Sequence, residues 1–312
     1  MSKVHEALKR VDGVAGTEAS SSMPATNGAP AALPYPPGSS YGEPRSPAAE
    51  RMSEIRPNFS VLQLPAPEWR GQDASELDKV PIHEVTPNSN GRLVYHTNPN
   101  SAAADRFRYL RMRLREIWRT GKLKTLLITS PLPQDGKSMI AINLATALAE
   151  RGTRKLLLVD ADMHHSSITH DLGLNDQPGL AESLENEINP LSCVRRIEPL
   201  GWYLLPAGRP VASCTELLQT EALPATLRKL TPHFDWIIID SPPVIPITDP
   251  LSFIQYVDGV LLVARAGQTS KQAIEDSIAL LGRKRIIGLA LNVVKGLPRP
   301  YSEYCYPKRA NS

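Results

Sequence analysis

Large apolar residues recur in short, nearly uninterrupted runs through the last two thirds of the chain. The runs predict six strands, which are KTLLIT (124–129), KLLLVD (155–160), WYLLPA (202–207), WIIID (236–240), GVLLVA (259–264) and IIGLALNVV (286–294). Runs this continuous are typical of strands buried on both faces of a sheet, because a half-exposed strand alternates apolar and polar positions.

Segments with apolar residues at helical spacing lie between the predicted strands. They predict helices over 105–119 and 137–151 and within the stretches 215–230 and 269–284. Because strands and helices alternate, we predict an α/β fold with a mostly parallel sheet and helices on both faces. Ligands bind such sheets beyond the carboxyl ends of the strands, so those positions carry the candidate chemistry.

The pattern is missing from the first hundred residues, which are rich in Pro, Ser, Ala, Gly and Asn. Such a segment buries too little apolar surface to offset its ordering entropy, so we predict a disordered leader over 1–100. The folded domain is expected over 101–297 and a short flexible tail over 298–312. Within the leader, SKVHEALKRV has apolar residues at helical spacing. It is either a frayed start or a docking helix that folds on a partner.

Charge and cysteine content narrow the function classes. The net charge of +3 is spread over residues of mixed sign, which argues against a nucleic-acid partner. Cys193, Cys214 and Cys305 lack the spacing of a metal site or a disulfide framework. No apolar run reaches the length of a membrane span, and the N-terminus lacks a signal peptide's apolar stretch. We therefore expect a soluble, cytoplasmic protein without direct membrane insertion.

The connection after the first predicted strand resembles a phosphate-binding loop with one substitution. ITSPLPQDGKSMIAINLATALA (128–149) contains Gly-Lys-Ser, but Pro131 stands where the usual motif has its first glycine. Proline has no N–H, so the phosphate cradle must come from residues 134–138. Lys137 would reach the β and γ phosphates, and Ser138 would offer its hydroxyl to Mg²⁺. The alternative is a plain proline-containing turn, but a strand before and a helix after favour nucleotide binding.

Acidic residues directly follow two other predicted strands. Asp160 and Asp162 end the second strand, where they could bind Mg²⁺ or accept a proton from an attacking hydroxyl, although one of them could instead cap a turn. Asp240 ends the fourth strand, at the position of the second metal-binding acid of phosphate-loop NTPases. Asn292, near the end of the sixth strand, could meet the nucleotide base or be a turn residue.

Taken together, ITSPLPQDGKS, LLLVDADM and IIIDSPP resemble the bacterial tyrosine kinases of capsule and exopolysaccharide synthesis. In that family a proline, two further residues and then Gly-Lys-Ser or Gly-Lys-Thr form the loop, which residues 133–138 match. The family's additional motif of apolar residues and Asp-x-Asp matches residues 157–162. The resemblance covers roughly residues 95–306 and explains why the first glycine is missing.

The resemblance implies an ATP-dependent protein-tyrosine autokinase that uses ATP and Mg²⁺ and regulates polysaccharide synthesis and export. The residues implied by the match are, for catalysis, Lys137, Asp160 and Asp162; for nucleotide binding, Gln134, Asp135, Gly136, Lys137, Ser138, Met139 and Asn292; and for the metal, Ser138, Asp162 and Asp240. It also implies a membrane-embedded polysaccharide co-polymerase as activating partner, which would recruit the kinase to the inner face of the cell membrane.

A helical stripe resembles the family's ring-forming motif. The family carries Glu-x-x-Arg-x-x-Arg, and Asp105, Arg108 and Arg111 stand in that place with a shorter acid. Their spacing puts them on roughly one helix face, which suits contact with a neighbouring subunit in a ring-like homo-oligomer. The alternative is a solvated helix face.

The end of the chain resembles the family's tyrosine cluster. PRPYSEYCYPKRANS contains Tyr301, Tyr304 and Tyr306, and the resemblance implies that these are autophosphorylated in trans. A phenol is a suitable phosphate acceptor once a carboxylate takes its proton. The alternative is chance clustering in a tail.

One departure from the family's pattern keeps a different function open. An arginine commonly follows Asp-x-Asp in the family, whereas His164 and His165 stand here, and a neutral imidazole lacks the permanent charge and fork of arginine. A non-catalytic ATP-binding scaffold of polysaccharide assembly is therefore an alternative. Partition and septum-placement ATPases share the fold, but they carry an extra loop lysine where Leu132 stands here.

Overall fold

A computed structural model describes residues 74–86, 92–185 and 188–293. These residues form one sheet of eight strands in the order β1-β4-β5-β3-β6-β2-β7-β8, in which only the β4–β5 pair is antiparallel. The strands are β1 Ile82–Glu84, β2 Thr125–Thr129, β3 Leu156–Asp160, β4 Arg195–Glu198, β5 Trp202–Leu205, β6 Trp236–Asp240, β7 Gly259–Arg265 and β8 Ile286–Asn292.

Helices precede or connect most of the strands. They are α1 Ala74–Leu77, α2 Val94–Thr97, α3 Ala102–Arg119, α4 Lys137–Leu148, α5 Ser167–Asp171, α6 Leu180–Leu184, α7 Pro190–Cys193, α8 Cys214–Leu218, α9 Ala222–Leu230, α10 Asp249–Phe253 and α11 Lys271–Leu281. Among the described residues, no helix combines the length and the apolar character needed to cross a bilayer.

The two faces of the sheet build two separate apolar cores. Leu157 and Val159 of β3 point into a core that includes α6, α8 and α9, whereas Leu156 and Leu158 point into a core that includes α3 and α4. Successive side chains of a strand point to opposite faces, so a strand buried on both sides needs an unbroken apolar run. The predicted α/β fold with a mostly parallel sheet is confirmed.

All six predicted strands are present, with ends that differ from prediction by at most two described residues. The two unpredicted strands, β1 and β4, are short and polar and pair with each other on the β5 side of the sheet. Arg195 and Arg196 of β4 are not fully buried. Strands near a sheet edge carry such residues, so no apolar run marks them in the sequence.

The ordered domain begins earlier than residue 101. The helix α1, the strand β1 and the helix α2 all lie in the stretch predicted as a disordered leader, so that boundary is wrong for residues 74–86 and 92–100. Leu77 and Leu93 are buried in the two cores, because packing against the sheet stabilises isolated apolar side chains that have no helical or strand period. Residues 1–73, including the proposed docking helix, and the tail lie outside the described residues.

Strand order and register bring three candidate loops to one edge of the sheet. The strand β6 lies between β3 and β2, and Asp160 pairs in register with Asp240, which in turn pairs with Ile128. Because these strands are parallel, their carboxyl ends meet at the same edge, where α4 begins.

Candidate active site

The loop after β2 turns into α4 at Gly136. This residue has a φ of +95°, a left-handed conformation that glycine adopts without steric cost. A Cβ atom at this position would overlap the side-chain amide of Asn292, which donates to the Asp135 carbonyl oxygen at 3.0 Å. Asn292 therefore packs against the phosphate loop, and its contact with a nucleotide base stays a prediction.

Hydrogen bonds within the loop, from the last residue of β7 and from the β7–α11 connection hold the loop in place. The buried Asp135 carboxylate accepts from the Leu132 N–H at 3.0 Å and from the Thr269 hydroxyl at 2.5 Å. The Arg265 guanidinium donates to the Gln134 carbonyl oxygen at 3.1 Å. These bonds with neighbouring protein groups determine the shape of the loop. That shape therefore does not depend on the glycine that the usual motif has at its first position.

Lys137 lies at the centre of the acidic strand ends. Its Nζ donates to Asp162 Oδ2 at 2.7 Å, lies 4.0 Å from Asp240 Oδ2 and contacts the Ser138 hydroxyl at 3.2 Å. Burial acts to lower the pKa of Lys137, but the negative charges of Asp240 and Asp162 outweigh it, so this pKa is raised. The lysine is therefore a permanent positive charge at the end of the phosphate loop.

Asp160 and Asp240 are completely buried at the ends of neighbouring strands. Burial raises the pKa of Asp240 to about 6, even though the charge of Lys137 opposes the shift. Burial and the charge of Asp240 raise the pKa of Asp160 to about 7, against two hydrogen bonds from Thr169 at 2.8 and 2.7 Å. Both carboxyl groups therefore titrate near neutral pH.

The buried carboxyl oxygens suit a hydrated magnesium ion. Both oxygens of Asp240 and Oδ1 of Asp160 have no hydrogen-bond partner in the described structure, which is costly for a buried charge. The described residues contain no cluster of three or more His, Cys, Asp or Glu side chains with the arrangement of a metal site. Mg²⁺ commonly binds through one or two carboxylates, with water and phosphate as further ligands, so Asp240 and the buried Ser138 hydroxyl fit this ion.

The structure places Met139 against the apolar core, whereas it places Asp162 in a hydrogen-bonded turn beside Lys137. Met139 packs against the core on the α3–α4 side, and its carbonyl oxygen accepts from Asn143, so any nucleotide contact stays a prediction. Asp162 is almost completely buried and accepts from Lys137 through one oxygen and from the His165 N–H, at 3.0 Å, through the other. Asp162 thus both pairs with the lysine and stabilises the turn after β3.

His164 pairs with a residue that is absent from the predicted set. Its Nε2 donates to Asp249 Oδ2 at 3.0 Å, and the Thr215 hydroxyl donates to Asp249 Oδ1 at 2.5 Å. Asp249 is fully buried in the first turn of α10, so one carboxylate ties together α10, α8 and the turn after β3.

The predicted interface residues make contacts inside the subunit. Arg108 donates to Asp105 at 2.6 Å and to the Pro99 carbonyl oxygen at 2.5 Å. Arg111 donates to the Ala147 carbonyl oxygen at 3.3 Å, near the end of α4. The three residues do lie along one side of α3 and are partly exposed, and their role in self-association stays a prediction.

Little in the sequence marks three residues that matter for the site, which are Asp249, Arg265 and Thr269. Arg265 and Thr269 follow the fifth predicted strand, where a ligand-binding edge is expected, yet they match no motif. Asp249 follows β6 by nine residues in ITDP, which reads as an ordinary helix start with an acid and a proline. Contacts between distant loops give these residues their importance.

The sheet, the loop after β2 and the acidic ends of β3 and β6 define a protein with the P-loop NTPase type of fold. Residues 135–283 match the AAA domain family. The tyrosine-protein kinase ptk of Acinetobacter johnsonii is 28% identical over 68% of this chain, and the putative tyrosine-protein kinase CapB of Staphylococcus aureus is 27% identical over 64%. The kinase domain of the Escherichia coli tyrosine kinase Etk matches with a TM-score of 0.63 and 25% identity, over 68% of this chain and 84% of that domain.

Within that class, the chain is similar to bacterial tyrosine kinases. The match accounts for 88% of the Staphylococcus aureus relative but only 29% of the Acinetobacter johnsonii relative. The chain thus spans less than a third of the length of the latter.

Proposed function

We propose that this protein is an ATP-dependent protein-tyrosine kinase that phosphorylates tail tyrosines of another copy and thereby regulates capsule or exopolysaccharide synthesis. The observation that carries the proposal is the convergence of Asp160, Asp162 and Asp240 on Lys137 at the end of a phosphate loop. The family's tyrosine-kinase names support the reaction type.

In this proposal the loop and Lys137 bind the triphosphate, and Ser138 and Asp240 hold Mg²⁺ with help from Asp162. The ion would neutralise phosphate charge. Lys137 then exchanges its bond with Asp162 for phosphate oxygens, which frees one oxygen of that carboxylate. A lysine that remains charged in a buried site is suited to this role.

Asp160, helped by Asp162, orients the acceptor phenol and takes its proton. The phenol oxygen bonds to the γ-phosphorus as the bond from that phosphorus to the ADP oxygen breaks. With a pKa of about 7, the Asp160 carboxylate is a stronger base than an exposed aspartate and is still partly ionised at neutral pH.

Tyr301, Tyr304 and Tyr306 are the acceptors in this proposal, and they lie outside the described residues. Each phosphate adds close to two negative charges, which would loosen a ring-like oligomer by repulsion between neighbouring subunits. A membrane-embedded co-polymerase would act as the activator and bring the kinase to the inner face of the membrane.

A mixing experiment tests the proposal. One full-length variant carries Lys137→Ala with intact tyrosines, and the other is active but has Tyr301, Tyr304 and Tyr306 changed to Phe. With labelled ATP, we expect the amount of phosphotyrosine on the Lys137→Ala chain to be at least tenfold higher when both variants are present than when that chain is alone. ATP hydrolysis without phosphotyrosine would favour a positioning ATPase, and ATP binding without turnover would favour a scaffold.

A further inference from the structure

The edge of the sheet opposite the phosphate loop is strongly basic. The parallel strands β3, β6, β2, β7 and β8 all begin at this edge, and the helices α3, α4 and α11, which lead into β2, β3 and β8, end there. The ends of these helices and the connections into the strands supply eight cationic side chains, which are Arg119, Lys122, Arg151, Arg154, Lys155, Arg283, Lys284 and Arg285. We call these eight residues the basic edge.

Two carboxylates lie among the strand starts, and both are already engaged. Asp235, before β6, accepts from the Lys155 backbone N–H at 3.0 Å. Asp258, before β7, accepts from two backbone N–H groups at the start of β2, each at 2.7 Å. Burial lowers the pKa of the half-buried Lys124 to about 8 although the charges of both carboxylates oppose the shift. The two acids therefore lie beside a further lysine, which is not counted in the basic edge.

The side chains of the basic edge are open to solvent. Seven of the eight are exposed, and none of the eight forms an ion pair with another described residue. The half-buried Arg154 lies over the Trp118 ring, 5.2 Å from its centroid. Elsewhere on α3 the exposed Arg113 is paired with Glu116 at 3.0 Å. Surface cations of this chain thus find acidic partners where these are close, and the basic edge has its charge free for a partner.

The layout of the charges indicates a broad anionic surface. β3 and β8 are four strand positions apart, so the clusters before β3, β2 and β8 spread over about 19 Å at ~4.8 Å per strand. Asp235 and Asp258 separate the clusters, because β6 and β7 lie between those three strands. The headgroups of a fluid bilayer can gather under each cluster independently, whereas a nucleic-acid strand would have to carry its phosphates past both acids.

Exposed apolar side chains accompany the basic edge. Leu280, in the last turn of α11, is 50% exposed, and Tyr256, just before β7, is 36% exposed. Tyrosine is enriched where membranes meet water, and an aliphatic side chain gains from entering the same interfacial region. Leucine offers nothing to phosphates or base edges, so the combination favours a lipid surface over nucleic acid.

We propose that the basic edge docks on the anionic surface of a lipid bilayer, with acidic phospholipid headgroups on its three clusters and with Leu280 and Tyr256 in the interfacial region. The contact is peripheral. It goes beyond the proposed kinase function and does not depend on it. Because the phosphate loop lies at the opposite edge of the sheet, a docked molecule keeps its nucleotide site turned away from the bilayer and open to ATP.

Vesicle co-sedimentation of the full-length chain without nucleotide tests this surface. The vesicles are phosphatidylcholine alone or phosphatidylcholine with about one third phosphatidylserine. We expect the parent to bind the mixed vesicles at least tenfold more tightly, and to lose most of this preference between about 0.1 M and about 0.5 M salt. A triple variant that removes one lysine from each cluster, Lys122→Gln with Lys155→Gln and Lys284→Gln, should bind the mixed vesicles at least tenfold more weakly.

A second triple variant is the matched control. Lys79→Gln with Arg106→Gln and Lys271→Gln removes the same charge from exposed positions outside the basic edge, and it should bind within about twofold of the parent. If the first triple variant does not fold, Lys122→Gln and Lys284→Gln are measured singly and should each weaken binding about threefold. Absence of parent binding, equal binding to both kinds of vesicle, or equal weakening in both triple variants would overturn the proposal.

Two further measurements separate a bilayer from another polyanion. Leu280→Ser should weaken vesicle binding about threefold, whereas binding to single-stranded RNA should not change. RNA that binds the parent more tightly than the mixed vesicles do, through the same three lysines, would reassign the basic edge to nucleic acid. Hydrogen exchange with the mixed vesicles should slow the amides of residues 119–123 and 151–155 and leave those of 134–138 unchanged. Slowing confined to 134–138 would contradict the docked orientation.

Discussion

At the scale of single residues, Gly136 shows why one position in the phosphate loop accepts only glycine. Its φ is positive, and its Cβ position is taken by the Asn292 amide. Gly121 also has a positive φ, of +70°, but no atom lies within 4 Å of its Cβ position. Alanine substitutions at Gly136 and Gly121 can therefore be compared to separate the effect of the left-handed backbone conformation from the effect of crowding around the Cβ atom.

We predict that Gly136→Ala weakens ATP binding more than tenfold, because the methyl group must displace Asn292 and with it the Asp135 carbonyl. Gly121→Ala should cost about 1–2 kcal/mol in free energy of unfolding, from the left-handed conformation alone, and leave ATP affinity unchanged. Titration with a fluorescent ATP analogue and urea denaturation measure the two effects. Equal ATP affinity for Gly136→Ala and the parent would contradict the crowding argument.

The buried carboxyls of Asp160 and Asp240 make a pH prediction. Their pKa values in the folded protein, about 7 and about 6, lie above the ordinary value of 3.8, so the folded state binds protons more tightly than the unfolded state. Their contribution to stability is full below about pH 4 and is lost as pH rises through 6 and 7. We therefore predict that the free energy of unfolding of the nucleotide-free protein falls between about pH 4 and pH 7 because of these two groups.

Asp240→Asn should remove part of this pH dependence, raise the free energy of unfolding at pH 7.5 by on the order of 2 kcal/mol and abolish phosphoryl transfer. Urea denaturation between pH 5 and pH 8 in the absence of nucleotide measures the effect. Asp276→Asn on the exposed side of α11 is the control and should follow the parent's curve. A variant less stable than the parent at pH 7.5 would show that Asp240 is a net stabilising partner of Lys137.

At the scale of elements, the Asp249 carboxylate joins α10, α8 and the turn after β3 through Thr215 and His164. Asp249→Ala removes the buried acceptor of the half-buried Thr215 hydroxyl and of the exposed His164 ring, so we predict a loss of about 1–3 kcal/mol in free energy of unfolding. kcat should also fall more than tenfold, because Asp162 depends on the same turn. ATP affinity, which depends on the loop after β2, should change less than threefold.

His164→Arg and His164→Leu test the same connection from its other end. Arginine can donate to Asp249 and adds a permanent charge, so we expect it to retain stability and raise kcat, whereas leucine should lower both. Chemical denaturation and steady-state kinetics of the single and double variants give the coupling energy, expected at about 1–3 kcal/mol for groups in direct contact. Additive effects of Asp249→Ala and His164→Leu would contradict a functional connection.

The elements also show what could be predicted from sequence. Strands β2, β3 and β6 are predicted almost to the residue because five successive buried side chains leave a continuous apolar run. β1 and β4 have no such run and depend on pairing with each other between Ile82 and Arg196, which no local pattern records. The acidic strand ends follow from the strands, whereas Asp249 and Thr269 act through contacts with loops far away in the chain.

At the scale of the whole molecule, the strand that carries the phosphate loop lies inside the sheet, between β6 and β7. Both of its partners come more than a hundred residues later, with Thr125 paired to Ile237 and Leu126 to Gly259. Pairings at such separation close large loops, which makes them late and slow events in folding.

The order of the strands has a consequence for biosynthesis. A ribosome that has just finished the phosphate loop must still translate both flanking strands before that loop has a lasting place, so the nascent chain holds an unpaired, strongly apolar segment during that interval. Premature termination before β7 would leave a fragment with an open sheet edge and a tendency to aggregate. Expression of such fragments should thus depend on chaperones, whereas the finished chain would no longer need them.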